Sequence, residues 1–224
     1  MMYKLGILGG MGPSATCDLY NRIIKHTEAS CDQDHIRMVI LNNCDTPDRT
    51  KALLEGGKSP LPYLNDGINN LIHLGCEYFI IPCNTAHAYA SKFRTKGKIN
   101  FISMIEEVHK ELEEKYKGKK VCVLCTNGTR SAKVYEKEGV SIYYPTLQDQ
   151  VMSVVTCTKA GLDALSDLQD VINKEEDNFD IFLLACTELS LYKDKLTTKK
   201  TIIDAMDILV KATIIKCCKK YVDW

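Results

Sequence analysis

The apolar runs of this chain occur in one pattern twice over, and a chain that repeats itself folds as copies of one unit. Short runs at residues 4–9, 38–42, 78–82 and 99–103, separated by amphipathic helical stretches, read as a βαβαβαβ series. A second series follows at 119–125, 141–144, 180–185 and 201–204. The connections correspond too. The first strand of each series ends in a special turn, Gly9-Gly-Met-Gly-Pro13 and Thr126-Asn-Gly-Thr129, and the third ends in a cysteine, Cys83 and Cys186. Strands alternating with helices build parallel sheets. The predicted fold is therefore α/β: two similar lobes, each a mainly four-stranded parallel sheet flanked by helices, related by pseudo-twofold symmetry with an interdomain cleft. A charge run at 111–120 containing Gly118 marks the division, giving an N-terminal lobe 1–116, a C-terminal lobe 117–205 and a last helix within 206–224. That helix has Ile208, Leu209, Ala212 and Ile215 on one side, and should cover a surface, that of the first lobe.

Both cysteines follow a short apolar run and precede small hydroxyl or amide residues, as in Ile80-Ile-Pro-Cys83-Asn-Thr85 and Leu183-Leu-Ala-Cys186-Thr187. That is the punctuation of a buried strand ending at a helix start. In open α/β sheets the C-terminal strand edge is where ligands bind. A thiol at a helix N-terminus sits in positive potential that favours thiolate. Two lobes with these edges facing each other would put one acid/base group on each wall of one cleft, where the chemistry is proton transfer.

Composition narrows the partners. Lys plus Arg and Asp plus Glu are 29 each, so nothing marks a nucleic-acid or membrane-surface binder, and a small molecule fits better. The start of the chain lacks a cleavable apolar region and no run reaches membrane-spanning length, which places the protein in the cytoplasm. Eleven cysteines invite a metal or redox reading. Yet Cys122 and Cys125 form the one CxxC, and along a strand residues three apart face opposite ways. The expectation is no metal, with Cys17, Cys31, Cys44, Cys76, Cys157, Cys217 and Cys218 acting as small hydrophobes among apolar neighbours.

The other loops offer a cation each. Arg49 lies in Cys44-Asp-Thr-Pro-Asp-Arg49-Thr50 and Lys159 in Thr156-Cys-Thr-Lys159-Ala-Gly161. Taken singly each reads as surface; as a pair over a neutral cleft they suit a dicarboxylate, with Arg49 able to bind it bidentately. Gly6-Ile-Leu-Gly-Gly-Met-Gly12 runs GxxGGxG rather than GxGxxG, which argues against a dinucleotide, although its helix start exposes N–H groups suited to a carboxylate. His87 lies one helical turn past Cys83 and either tunes that thiol or is simply packed. Glu188 either meets a substrate ammonium or complements a helix dipole.

Gly6-Ile-Leu-Gly-Gly-Met-Gly-Pro-Ser-Ala-Thr16, Pro47-Asp-Arg-Thr50, Pro82-Cys-Asn-Thr-Ala-His87, Thr158-Lys-Ala-Gly161 and Ala185-Cys-Thr-Glu-Leu189 together resemble the cofactor-independent aspartate/glutamate racemases, on the aspartate side, across the whole chain. The resemblance implies L/D interconversion of aspartate, or aspartate and glutamate, without pyridoxal phosphate or any other cofactor, often in a homodimer. It implies Cys83 and Cys186 as the acid/base pair that removes and returns the α-proton. Asn84, Thr85 and Thr187 would donate to the α-carboxylate or bind the amino group. Met11 and Thr126 would line the cleft, and Arg49 and Lys159 would hold the side-chain carboxylate. Glu188 stands where glutamate racemases carry histidine. Ala185 precedes the second cysteine where many relatives have glycine. The alternatives are a glutamate or hydantoin racemase, a maleate isomerase, a decarboxylase, or a non-catalytic amino-acid-binding protein, for which a second thiol would serve no purpose.

Overall fold

Burial on both faces is what makes the apolar runs strands. In the computed structural model, which describes residues 3–223, Leu5–Gly9 (β1) is buried at all five positions and Ile181–Leu184 (β7) at all four, the habit of central parallel strands. After β1 come Pro13–His26 (α1), Met38–Asn42 (β2), Arg49–Leu54 (α2), Leu61–His73 (α3), Tyr78–Ile80 (β3), Asn100–Phe101 (β4) and Met104–Lys115 (α4). The second half runs Lys120–Leu124 (β5), Asn127–Ser131 (α5), Ser141–Tyr143 (β6), Gln148–Lys159 (α6), Leu165–Glu175 (α7), then β7, Thr201–Asp204 (β8) and Ala205–Lys216 (α8). Two four-stranded parallel sheets result, ordered β2-β1-β3-β4 and β6-β5-β7-β8. The second order is the first with four added to each number.

The period-two alternation of side chains sorts each central strand between two cores. Leu5 and Ile7 of β1, with Val121, Val123 and Cys125 at β5, face a shared core that also takes Leu19, Val108, Met206, Leu209 and Ile214. Thus α1, α4 and α8 form a layer between the two sheets, α8 packing on both of the others. The opposite faces of the sheets have cores of their own. Leu8 and Phe79 meet Leu64, Ile68 and Leu71 of α3 on one side, while Cys122, Leu124 and Phe182 meet Val151, Val155, Leu168 and Ile172 on the other. Cys122 and Cys125 accordingly lie in different cores.

Several expectations need correction. The fourth run shrinks to the two residues of β4, because Ser103 leaves the sheet to cap α4 and accepts the Glu106 N–H at 3.3 Å. The third stops at Ile80, before Pro82, which has no N–H for the ladder. The first half of the charge run at 111–120 is the last turn of α4 rather than connection. On α8 the buried stripe is Met206, Leu209, Val210, Thr213 and Ile214, and Ile215 is exposed. Cys17, Cys31, Cys44 and Cys218 are not among apolar neighbours but exposed: each has a polar or charged residue directly beside it, Asp18, Asp32, Asp45 and Lys219, and its helix or loop position faces outward.

Candidate active site

Six segments at or near strand C-termini supply the site. The turn after β1 opens with Gly10 at φ +89, where a Cβ would lie 2.5 Å from the Asn43 amide nitrogen, so this close approach of two loops requires glycine. Met11 follows, and Gly12 precedes α1 as its N-cap. After β2, Asp48 accepts the Lys51 N–H at 2.8 Å and caps α2, which places Arg49 at its first position. Cys83, Asn84 and Thr85 follow β3; Thr126 follows β5; Cys186, Thr187 and Glu188 follow β7; and Lys159 ends α6. One cavity gathers all ten of the residues singled out from sequence, together with Asp48 and Thr50. It is small, at ≈ 20 Å³, room for about one water. A wider depression of ≈ 880 Å³ lined by Tyr3, Lys4, Arg37 and Lys98 among others lies at the opposite end of the first sheet, away from both thiols.

The walls are polar and tied across the repeats. The Thr85 hydroxyl lies 2.9 Å from those of both Thr126 and Thr129, which are 3.1 Å apart, so three hydroxyls close a triangle between the lobes. Tyr135 donates its hydroxyl to Asn84 Oδ1, fixing the amide so that Nδ2 is left over. Burial pushes the Tyr135 phenol well above its usual range, so it stays a donor. The Arg49 guanidinium is buried and donates to the carbonyls of Met11 (3.0 Å), Pro47 (3.2 Å) and Thr46 (3.4 Å), with Nε unpartnered. Burial works against its charge, but Cys83, Asp48 and Glu188 outweigh that and raise its pKa. The Lys159 side chain is 37% exposed; its partial burial opposes the ammonium, and Glu188, with Oε1 at 3.9 Å, outweighs that and raises its pKa.

The two thiols differ. Cys186 Sγ donates to Glu188 Oε2 at 3.0 Å, and Thr187 Oγ1 lies 3.4 Å from the same oxygen. Burial and the Glu188 carboxylate push the Cys186 thiol well above its ordinary value, although Lys159 pulls the other way. This corrects the expectation that a helix start favours thiolate at this position. The segments after the cysteines are 3-10 helices, Thr85–Lys92 and Leu189–Lys195, whose dipoles do not offset burial beside an acid. Cys83 instead has the Arg49 guanidinium as its charged neighbour.

His87 is packed, and both its ring nitrogens are taken by backbone groups. Its Nε2 accepts the Met104 N–H at 3.2 Å, so the neutral ring donates through Nδ1 to the Cys83 carbonyl at 2.9 Å. Burial pushes its pKa down to about 4. A histidine whose folded pKa is depressed stabilises the fold fully above its unfolded value near 6.5 and loses that contribution as pH falls toward the folded value. We expect wild type to lose up to about 3 kcal/mol from this group between pH 6.5 and 4. Urea unfolding of His87→Asn across that range should show a correspondingly flatter slope.

Sequence reading passed over Asp48 and Thr50, although they flank Arg49, and the supports Thr129 and Tyr135. Thr129 stands three residues after Thr126, and its N–H donates to the Thr126 hydroxyl at 3.2 Å in the usual capping spacing. Tyr135 sits in an irregular stretch with no local signal.

Two parallel α/β lobes of like order close their strand ends on one polar cavity that carries a buried thiol from each. The chain belongs to the Asp/Glu/Hydantoin racemase family, whose sequence model matches residues 8–213, and is an amino-acid racemase, an isomerase. It is similar to the aspartate racemase of Picrophilus torridus, at 33% identity and a TM-score of 0.87 over 98% of this chain and 96% of that one. It is 26% identical to the broad specificity amino-acid racemase of Bacillus subtilis (strain 168), over 94% of this chain and 96% of the relative. The crystal structure of an aspartate racemase homologue from Pyrococcus horikoshii OT3 shares the fold, with a TM-score of 0.74 and 21% identity over 97% of this chain and 100% of that one. No helix among the described residues is long and apolar enough to cross a membrane.

Proposed function

We propose that this chain interconverts the L and D forms of an acidic amino acid, aspartate before glutamate, by moving the α-proton between Cys83 and Cys186 with no cofactor. The observation that carries this reading is a set of buried polar atoms in the cavity-lining residues that have no partner: Arg49 Nε, Asn84 Nδ2 and Glu188 Oε1. Buried polar atoms are nearly always paired. Two donors and one acceptor complement a carboxylate and an ammonium, and Arg49 and Lys159 supply charge for a second carboxylate.

In this mechanism one cysteine, as thiolate, takes the α-hydrogen as a proton, and the electron pair of the broken C–H bond stays on Cα and spreads into the α-carboxylate. Donors on Asn84, Thr85 and Thr187 offset that charge. The other thiol then gives its proton to the opposite face of Cα and is left as thiolate. A cavity with room for about one water limits solvent during the transfer, and the lobes must part to admit an amino acid. The reading carries with it a homodimer, which light scattering would test, a cytoplasmic location, and the division of the chain into 1–116, 117–205 and 206–224.

Purified protein incubated with L-aspartate, L-glutamate and neutral L-amino acids, followed by chiral chromatography, tests the activity. The aspartate activity of the Picrophilus relative supports a dicarboxylate, while the broad specificity of the Bacillus relative is the reason to include neutral substrates. Lys159→Ala is expected to cost about 1.5–3 kcal/mol in kcat/KM for aspartate, the usual worth of one hydrogen bond to a charged group, with the melting temperature unchanged, because Lys159 lies at an exposed helix end. Arg49→Ala should lose both activity and stability, since Arg49 also ties the Met11 carbonyl to α2. Unchanged aspartate turnover in a folded Lys159→Ala variant would remove the side-chain carboxylate from this position.

A further inference from the structure

We infer that Glu188 is a positioning residue that holds the proton on Cys186 through Oε2 while leaving Oε1 free for the substrate ammonium, so that the two thiols of the resting enzyme are not equivalent. The inference rests on the two-thiol reading of the site and deepens it. Three observations carry it. Cys186 Sγ donates to Glu188 Oε2 at 3.0 Å, and both residues are buried. Glu188 Oε1 is buried without a hydrogen bond, its nearest cation being Lys159 at 3.9 Å. A Cβ at Gly12 would come within 3.3 Å of that same oxygen, so the N-terminus of α1 faces the carboxylate and helps to keep it there. The remaining charged or titratable groups of the cavity are Arg49 and Cys83 from the first repeat and Asp48 on its rim, with Tyr135 buried behind Asn84.

A carboxylate in hydrogen-bond contact disfavours a thiolate, both by like charge and by accepting from the neutral thiol. Cys186 is therefore the proton donor of the resting site. The enantiomer that binds it first is the one whose α-hydrogen faces Cys83. When Cys83 removes that proton, the Cys186 S–H bond breaks toward the opposite face of Cα and the thiolate formed lies beside Glu188. A substrate ammonium on Oε1 offsets the carboxylate's charge at that moment, which eases loss of the proton from Cys186 only when substrate is bound.

The experiment reads protonation without using turnover. Wild type, Glu188→Gln and Glu188→Asp are alkylated with iodoacetamide across pH 6 to 10 (~, spanning the usual thiol range), and peptide mass spectrometry scores Cys186 relative to Cys83, which shares the cavity and so controls for access. Removing the charge in Glu188→Gln is expected to lower the pH midpoint for Cys186 by about one unit or more, raising its relative rate near neutrality about tenfold. Glu188→Asp, which keeps a carboxylate, should return the ratio toward wild type. An unchanged Cys186 profile in Glu188→Gln, or an aspartate variant that behaves like the glutamine one, would overturn the inference. Failure of the two-thiol reading is separate: it would appear as turnover retained in a cysteine variant, whatever the alkylation profile.

Discussion

Cys83→Ala and Cys186→Ala are each expected to lower racemisation by about 10²–10⁴-fold or more, the usual contribution of a positioned general acid or base. In the proposed mechanism each thiol serves one face of Cα, so neither can take over for the other. The substitution removes only a sulfur from a residue that is 6% or 5% exposed, and circular dichroism and thermal melts should remain close to wild type. Chiral chromatography in both directions checks the outcome. Near wild-type turnover in either single variant would withdraw the assignment of that cysteine.

The second large effect is on stability. Arg22 of α1 reaches across to the second lobe, where its guanidinium meets Asp204 at 2.7 Å, Asp207 at 2.5 Å and the Ser190 carbonyl at 2.8 Å, and it also pairs with Asp18 at 2.8 Å. Asp204 is fully buried and caps α8 through the Met206 N–H at 2.9 Å. Burial, then the neighbouring Asp207 carboxylate, pushes its pKa up to about 6 against the pull of Arg22. Arg22→Ala should cost about 3–5 kcal/mol, because it leaves a buried carboxylate without its partner. By contrast, losing the exposed Lys110–Glu107 pair at 2.7 Å should cost less than about 1 kcal/mol. The pH dependence has a defined sign. A carboxyl whose folded pKa lies above its unfolded value near 3.8 stabilises the fold most when protonated, and that contribution is lost as pH rises through the folded value. Without Arg22 the folded pKa climbs further. The deficit of Arg22→Ala, measured by urea unfolding, should therefore be larger at pH 8 than at pH 5 (~, either side of the shifted carboxyl).

Legibility followed the range of the interactions. The central strands could be read because runs such as Ile181–Leu184 are apolar throughout and end in turn or cap residues, which is local information. The matching placement of Cys83 and Cys186 needed only the repeat. Edge elements were less visible: whether residues 99–103 stay in the sheet depends on Ser103 turning to cap α4, which competes with strand pairing at a sheet edge. The outward-facing Cys17 and Cys44 could not be told from buried cysteines without knowing which helix or loop face meets a sheet. Least visible were contacts between distant residues. Arg22 and Asp204 are 182 positions apart, and Tyr135 reaches Asn84 over 51. The protonation of Cys186 belongs with these, because the adjacent Glu188 was legible as a charge and illegible as the acceptor of the thiol proton.

In the proposed mechanism a proton leaves one face of Cα to one thiol and another arrives at the opposite face from the second. Early turnover of L-aspartate in deuterated water, with the enantiomers separated and weighed by mass spectrometry, tests it directly. The D-aspartate formed first is expected to carry one deuterium at Cα while the remaining L-aspartate carries none, since the donor thiol exchanges with solvent and the acceptor thiol does not return its proton to the same face. D-aspartate that retains protium, or deuterium entering both enantiomers equally from the outset, would mean that one group serves both faces and would rule out transfer between two thiols.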